Sequence, residues 1–140
     1  MLKEILSISG QSGLFKLVSK GKNTIIVESL ADGKRMPVNG SSRISALDEI
    51  SMYTDGDDVK LRKVMAMAFR FFNGGAGIDA KKASVDELKK AMDGVMPNWD
   101  KDRVYNSDLK KLFSWYNILL NKGIINEKAV AEVENEKEEE

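Results

Sequence analysis

Two short motifs place residues at spacings used in nucleotide binding and catalysis, but neither has the surroundings its chemistry needs. Residues 75–80 (GAGIDA) fit the glycine pattern of a dinucleotide-binding loop, which must follow a strand and open a helix. A helix is predicted before this segment, so we expect a glycine-rich connector. Ser107 and Lys110 have the spacing of serine acyl-transferases, yet Lys110 falls on the polar side of its predicted helix. We expect Ser107 or Asp108 to cap that helix.

Two acidic stretches contain part of a calcium-binding loop. Residues 55–58 (DGDD) begin such a loop, but Ala66 stands where a bidentate Glu is needed. Residues 98–102 have three ligands at the right spacing, but Arg103 replaces the required glycine and Leu109 the Glu. Neither stretch is an EF-hand, and we predict no metal ion and no cofactor.

The composition excludes several further chemistries. The chain has 140 residues, with 22 basic and 22 acidic side chains and neither His nor Cys. A thiol nucleophile, a His general base, a disulfide and a zinc site built on Cys or His are therefore impossible. No apolar run approaches the roughly 18 residues that span a bilayer, and residues 1–6 lack the core of a secretory signal. We expect a soluble, cytoplasmic protein that is not an enzyme and does not contact a membrane.

The charges are distributed unevenly along the chain. Residues 1–55 hold seven basic and six acidic side chains, and residues 56–125 hold thirteen and nine. Residues 126–140 hold two and seven. We therefore divide the chain into a β module (1–55), a helical module (56–125) and an acidic tail (126–140), which is expected to be disordered because it has little to bury.

Short apolar and β-branched runs fill the β module. Strands are predicted at 14–19, 24–30 and 34–38, with one or two more between 43 and 54. Pro37 cannot donate a ladder hydrogen bond, so its strand should lie at a sheet edge. Short strands with turns about every 8–12 residues predict a small barrel of SH3-like or OB type, or alternatively a curled antiparallel sheet. The fold class is α+β.

The helical module shows the 3.6-residue apolar periodicity of amphipathic helices. Three main helices are predicted near 58–72, 85–95 and 108–121. The third is apolar over more than half of its circumference. We therefore expect Phe113 and Trp115 to be largely buried in the helical core.

Local signals mark the ends of the second and third helices. Ser84 and Glu87 form a capping-box pattern at the start of the second helix, and Pro97 ends it. Gly123 stands where a C-terminal glycine is expected for the third helix.

The segment before and at the start of the third helix combines aromatic side chains with alternating charges. Since loops carry function more often than cores do, we consider it a candidate partner surface, formed by Trp99, Arg103, Tyr105, Lys110 and Lys111. In the alternative, Trp99 and Tyr105 pin the loop to the helical core and the charges form local pairs. Trp115 is close enough in sequence to Lys111 for a cation–π contact.

A second candidate surface is basic. Arg62, Lys63 and Arg70 face away from the apolar arc of the first helix and form a candidate basic face for nucleic acid. The β module offers only Phe15 and Tyr53 for base stacking. If this face binds polyanions, the acidic tail should compete with them.

Several segments resemble one known family. They are residues 2–10, 13–19, 25–35 and 102–116. The sequence is similar to a family of short bacterial proteins classed as a domain of unknown function, over about residues 1–120. The resemblance implies a small β module followed by a helical module, and it supplies no activity, cofactor or catalytic residue.

The sequence therefore favours a non-enzymatic binding or interaction protein. A protein partner or self-association is the expected mode. Nucleic-acid binding through the basic helical surface is one alternative, and an enzyme that works without His or Cys is another.

Overall fold

The computed structural model describes residues 1–40 and 42–136, which form an α+β protein. Seven strands precede the helices: β1 (Ile5–Ile8), β2 (Phe15–Lys20), β3 (Thr24–Ser29), β4 (Arg35–Asn39), β5 (Ile44–Ala46), β6 (Ser51–Met52) and β7 (Val59–Lys60). A 3₁₀ turn, Leu47–Glu49, follows β5. The helices are α1 (Leu61–Phe71), α2 (Val85–Val95), α3 (Asn106–Asn121) and α4 (Glu127–Glu134). Within the described residues, no helix has both the length and the apolar character needed to cross a membrane.

The first five strands form one antiparallel sheet in the order β4-β3-β2-β1-β5. Among the described strands, β4 and β5 are the two edges, so the prediction of a closed SH3-like barrel is wrong and the sheet is open. Closure would require β4 to pair with β5. However, β5 has only three residues, and Pro37 in the middle of β4 has no N–H to donate. The prediction that Pro37 lies in an edge strand is confirmed.

One face of the sheet has its own small core. Its alternate residues are apolar and buried: Leu6, Ile8, Phe15, Val27 and Val38. Ile5, on the opposite face of β1, belongs instead to the larger core around the helices. Strand β1, which lies between β2 and β5, therefore contributes to both cores.

The larger core lies among the four helices and the 3₁₀ turn. Phe113 and Tyr116 of α3 are fully buried at its centre, together with Met65, Leu88 and Val130 from the other three helices. Trp115 packs against this core but is only half-buried, so it lies at the margin of the predicted core rather than within it. The predicted start of the first helix near residue 58 is wrong, since Val59–Lys60 pair with Ser51–Met52 as a small ladder.

The predicted signals at the ends of α2 and α3 are confirmed. Ser84 Oγ accepts the Glu87 N–H, and a Glu87 carboxylate oxygen accepts the Ser84 N–H, each at 3.2 Å. α2 ends two residues before Pro97. Gly123 adopts a φ of 71° just beyond α3, a conformation that glycine tolerates best.

The acidic segment after residue 125 is folded where it is described, which corrects two predictions. Residues 127–134 form a fourth helix, which corrects both the prediction of three main helices and the prediction of a disordered tail. Residues 137–140 of the predicted tail lie outside the described residues. Asn126 caps α4 by accepting the Ala129 N–H at 2.8 Å. Val130 and Val133 are buried against α1, so the acidic side chains occupy the outer face of an amphipathic helix.

We predict that Phe113→Ala lowers the free energy of unfolding by about 3–5 kcal/mol, because a large, fully buried ring is replaced by a cavity. Phe71→Ala is the matched control, since Phe71 is 45% exposed at the end of α1. Urea titration of both variants tests this. Equal losses for the two phenylalanines would contradict the position of α3 in the core.

We also predict that Val130→Ala lowers the free energy of unfolding by about 2 kcal/mol, the loss expected for a buried branched side chain. Glu132→Ala, on the exposed side of the same helix, should change it by less than about 0.5 kcal/mol. Thermal or urea unfolding provides the comparison. A Val130→Ala variant as stable as the original would show that α4 does not pack on α1.

Candidate functional site

The glycine-rich segment at residues 75–80 is a connector between α1 and α2, as predicted, and α3 holds it in place. The Gly77 N–H donates to Asn117 Oδ1 at 2.7 Å, and Asn117 Nδ2 donates to the Ile78 carbonyl at 3.0 Å. A Cβ at Gly77 would come within 2.9 Å of the Tyr116 ring. Close packing against α3 therefore explains the glycine at position 77, and no bound nucleotide is needed to explain it.

The acidic loops also serve local structure. Asp100 accepts the N–H groups of Asp102 and Arg103 with one oxygen, and its other oxygen accepts Arg103 Nε at 2.6 Å. Its hydrogen bond with Arg103 is the main cause that lowers the pKa of Asp100. Within the described part of the chain, no group of three or more carboxylates is placed to hold a metal ion.

Two residues of the candidate partner surface, Trp99 and Arg103, form contacts that hold the loop in place. Trp99 is buried, with its Nε1 donating to Asp93 at 2.8 Å and the Lys101 ammonium 4.9 Å from its ring centroid. The Arg103 guanidinium lies 4.4 Å from the Tyr53 ring centroid and donates to the Thr54 carbonyl at 3.1 Å. Trp99 pins the loop as the alternative interpretation expected, and the charges form local pairs.

The other three residues of that surface are exposed. Tyr105 is 69% exposed, so it does not pin the loop to the core. Its N–H donates to the Asp108 carboxylate at 2.9 Å. This hydrogen bond caps α3, which begins at Asn106, and Ser107 takes no part in the cap. Lys110 and Lys111 form no ion pair with any residue in the described ranges.

The arginines of the candidate basic face are neutralised by the acidic segment. Arg70 donates to Glu127 at 2.8 Å and to Glu134 at 2.7 Å, and Arg62 donates to Glu136 at 3.0 Å. These carboxylates raise the pKa of Arg70, and Arg70 in turn lowers the pKa of Glu134.

Within the described residues, the acidic segment does not account for the rest of this face. Lys63 is half-buried beside the two arginines, and Arg62 also lies 3.8 Å from Asp48. The predicted basic face is therefore partly covered by the chain itself.

A groove runs between α3 and the sheet, and sequence analysis did not find it. It consists of two depressions, of about 310 and 340 Å³, which meet at Ser7, Lys111 and Trp115. We call the whole feature the α3 groove. Lys111, Trp115 and Ile118 recur at helical spacing, so one stripe of α3 faces the groove along its length.

The two depressions differ in chemistry. The first, the apolar half, has a buried floor made of Met52, Leu61, Val104 and Leu112. The second, the cationic half, is lined by Lys110, Lys111, Ser114 and the loop at residues 9–13, together with the apolar side chains of Ile8 and Ile118. Among the described residues, no carboxylate lines the cationic half, whereas Asp108 lines the apolar half.

Three residues of the groove carried a sequence signal, and others carried none. Lys110 and Lys111 were singled out as a partner surface, and Trp115 was noted for its position beside Lys111. In the described structure Trp115 makes no cation–π contact with Lys111 and instead forms part of the groove wall. Ser7 lies opposite Ser45 in the pairing of β1 with β5, and the loop at residues 9–13 connects β1 to β2, so their positions depend on strand pairing that local sequence does not specify.

The fold and groove define an α+β protein with an open antiparallel sheet, a helical unit and a surface groove between them. Its chain belongs to families of unknown function: residues 2–47 match the Domain of unknown function (DUF5606), and residues 50–119 match the Domain of unknown function (DUF6852). The resemblance seen in the sequence is confirmed.

One solved structure is similar to this chain over most of its length. It is a solution NMR structure, determined by a structural genomics consortium, of a protein from Bacteroides vulgatus. The two sequences are 49% identical, the alignment covers 90% of each chain, and the TM-score is 0.76. Comparison with curated proteins gave no significant match. These matches establish the family and the fold of the chain, and their descriptions name no specific activity.

We predict that Trp115 accounts for most of the tryptophan fluorescence that a neutral quencher can reach. Trp115 is half-buried in the wall of the groove, whereas Trp99 is 3% exposed. Trp115→Phe should therefore lower the Stern–Volmer constant for acrylamide severalfold in the folded protein. The same variant unfolded in urea serves as the control, since Trp99 then becomes accessible. Undiminished quenching of folded Trp115→Phe would contradict the described exposure of the two side chains.

Proposed function

We propose that this protein is a non-enzymatic interaction protein and that the α3 groove is the surface that contacts its partner. The observation that carries the proposal is the position of Lys111 and half-buried Trp115 beside a buried apolar floor, with Lys110 in the adjoining depression. Aromatic anchors next to apolar pockets supply much of the affinity at protein interfaces. Cations at the rim add orientation and association rate.

The groove also supports a binding role better than a catalytic one. Its polar groups are hydroxyls, two lysines and Asp108, whose carboxylate already accepts the Tyr105 N–H. In the part of the chain that the structure describes, no serine hydroxyl of the groove hydrogen-bonds to a carboxylate or an amine. Nucleophilic catalysis needs such a pair, with the base in turn held by a third group.

Nucleic-acid binding through α1 has weaker support. Arg62 and Arg70 already engage carboxylates of the α4 segment, so a polyanion would have to displace them. If a phosphate bound to Arg70, this residue would lose its charge-assisted hydrogen bonds to two carboxylates and gain contacts with the phosphate in their place. A protein partner or a second copy of the chain at the α3 groove requires no such displacement.

Photo-crosslinking tests the proposal. We expect p-benzoylphenylalanine in place of Lys111, at the junction of the two halves, to give a discrete protein adduct in cells that produce this protein naturally. In purified protein, a crosslinked dimer would identify self-association. The matched control is the same replacement at Lys16, an exposed position on β2 outside the groove.

The adduct must also depend on the groove itself. Adding Lys110→Ala and Trp115→Ala to the crosslinking protein should remove it, while circular dichroism verifies that the fold persists. Equal adducts from the positions of Lys111 and Lys16, or no adduct at Lys111 in either setting, would refute the assignment of the groove as a partner surface.

A further inference from the structure

The α3 groove concentrates positive charge at one end, while apolar side chains line both ends. The cationic half holds Lys110 and Lys111, both exposed, and no carboxylate of the described residues lines it. The apolar half has one lysine and one aspartate, so its charges cancel, and its floor is hydrophobic. A negatively charged group of a partner is therefore attracted most strongly to one end of the groove, whereas an apolar group finds a hydrophobic floor without net charge at the other end.

The polar lining of the cationic half suits a carboxylate. Ser9, Ser12 and Ser114 bring hydroxyl donors to the same depression as the two ammonium groups. The loop turns sharply, with Gly10 at a φ of 84° and Gly13 at 82°, and this brings the serines beside α3. Charge-assisted hydrogen bonds from ammonium and hydroxyl groups to a carboxylate are about twice as strong as neutral ones.

The shape of the groove suits an extended chain. The two halves have similar volumes and join at Trp115, so a ligand that fills both must cross the indole. Small molecules prefer one concave pocket that buries most of their surface. An extended peptide can instead place consecutive side chains in separate depressions.

We propose that the α3 groove binds an extended acidic segment of a protein partner, in which Asp or Glu side chains adjoin a large apolar side chain. The carboxylates lie in the cationic half and the apolar side chain in the apolar half. The inference rests on the proposed function, because it assigns the chemistry of the partner to the same groove.

A nucleic acid fits this arrangement less well than an acidic peptide. Its phosphates carry negative charge along its whole length, and Asp108 in the apolar half would repel them. Single-stranded nucleic acid also gains affinity from several aromatic side chains that stack successive bases. The α3 groove offers Trp115, together with Tyr53, whose ring already lies under Arg103.

Fluorescence anisotropy with four labelled probes tests the inference. The first is a short peptide with a Glu-Glu-Leu-Phe core between Gly-Ser flanks. In the second, Gln replaces Glu, and in the third, Ala replaces Leu and Phe. The fourth is oligo(dT) of the same length. We expect saturable binding of the first peptide and at least about tenfold weaker binding of the other three probes.

Two lysine pairs provide matched variants of the protein. The double variant Lys110→Ala/Lys111→Ala should weaken binding of the first peptide by about tenfold or more, and higher salt should weaken binding to the original protein. The variant Lys89→Ala/Lys90→Ala removes an equally exposed pair from α2 and should leave affinity unchanged. The first peptide should also shift the emission of Trp115 in the Trp99→Phe protein, which places it in the groove.

Each contrary outcome overturns the inference. Equal affinity for the Glu and Gln peptides would show that the groove does not recognise carboxylates. Equal affinity for the Leu-Phe and Ala peptides would show that no apolar side chain is recognised. Equal affinity for oligo(dT) would indicate a general polyanion site. Equal losses from both lysine pairs place the binding outside the groove. If the Lys111 crosslink captures a partner but the first peptide does not bind, the inference fails and the proposed function stands. If neither occurs, both fail.

Discussion

Tyr116 lies fully buried on α3, and its hydroxyl donates to the Gly75 carbonyl at 2.8 Å. Its ring packs 5.4 Å from that of Phe72 and leaves room only for a glycine at position 77. Burial raises the pKa of Tyr116, so the hydroxyl keeps the proton that it donates. This contact joins the end of α1, the connector and α3. The opposite side of α3 is thereby turned toward β1, and the groove exists because α3 is fixed on its inner side.

The relation of α4 to α1 shows why a high content of one charge does not by itself indicate disorder. Its acidic side chains are spaced so that Val130 and Val133 share an inner face, and the carboxylates beside that face reach Arg62 and Arg70. Exposed ion pairs of this kind contribute little to stability individually. Burial of the two valines supplies more, while the carboxylates fix how the helix lies on α1.

Sequence patterns predicted the features that depend on nearby residues. Periodicity located the first three helices, the capping box at Ser84 fixed the start of α2, and Pro37 identified an edge strand. Features that depend on distant pairing were missed. β1 has four residues, and its pairing with β2 and β5 places it between the two cores. The groove was missed for the same reason: its lysines were recognised, but the strand opposite them was not.

The junction of the two family segments falls near the 3₁₀ turn, and the α3 groove draws on both sides of it. Ser7 and Ser45 belong to the first segment, and Tyr53, Lys111 and Trp115 to the second. Neither segment alone contains a complete groove. Any molecule held there would bind only when both segments are folded and docked, so its binding free energy would stabilise their association as well as each part. Binding in the groove and cooperative folding of the two segments would then both report on the equilibrium between the docked and the undocked segments.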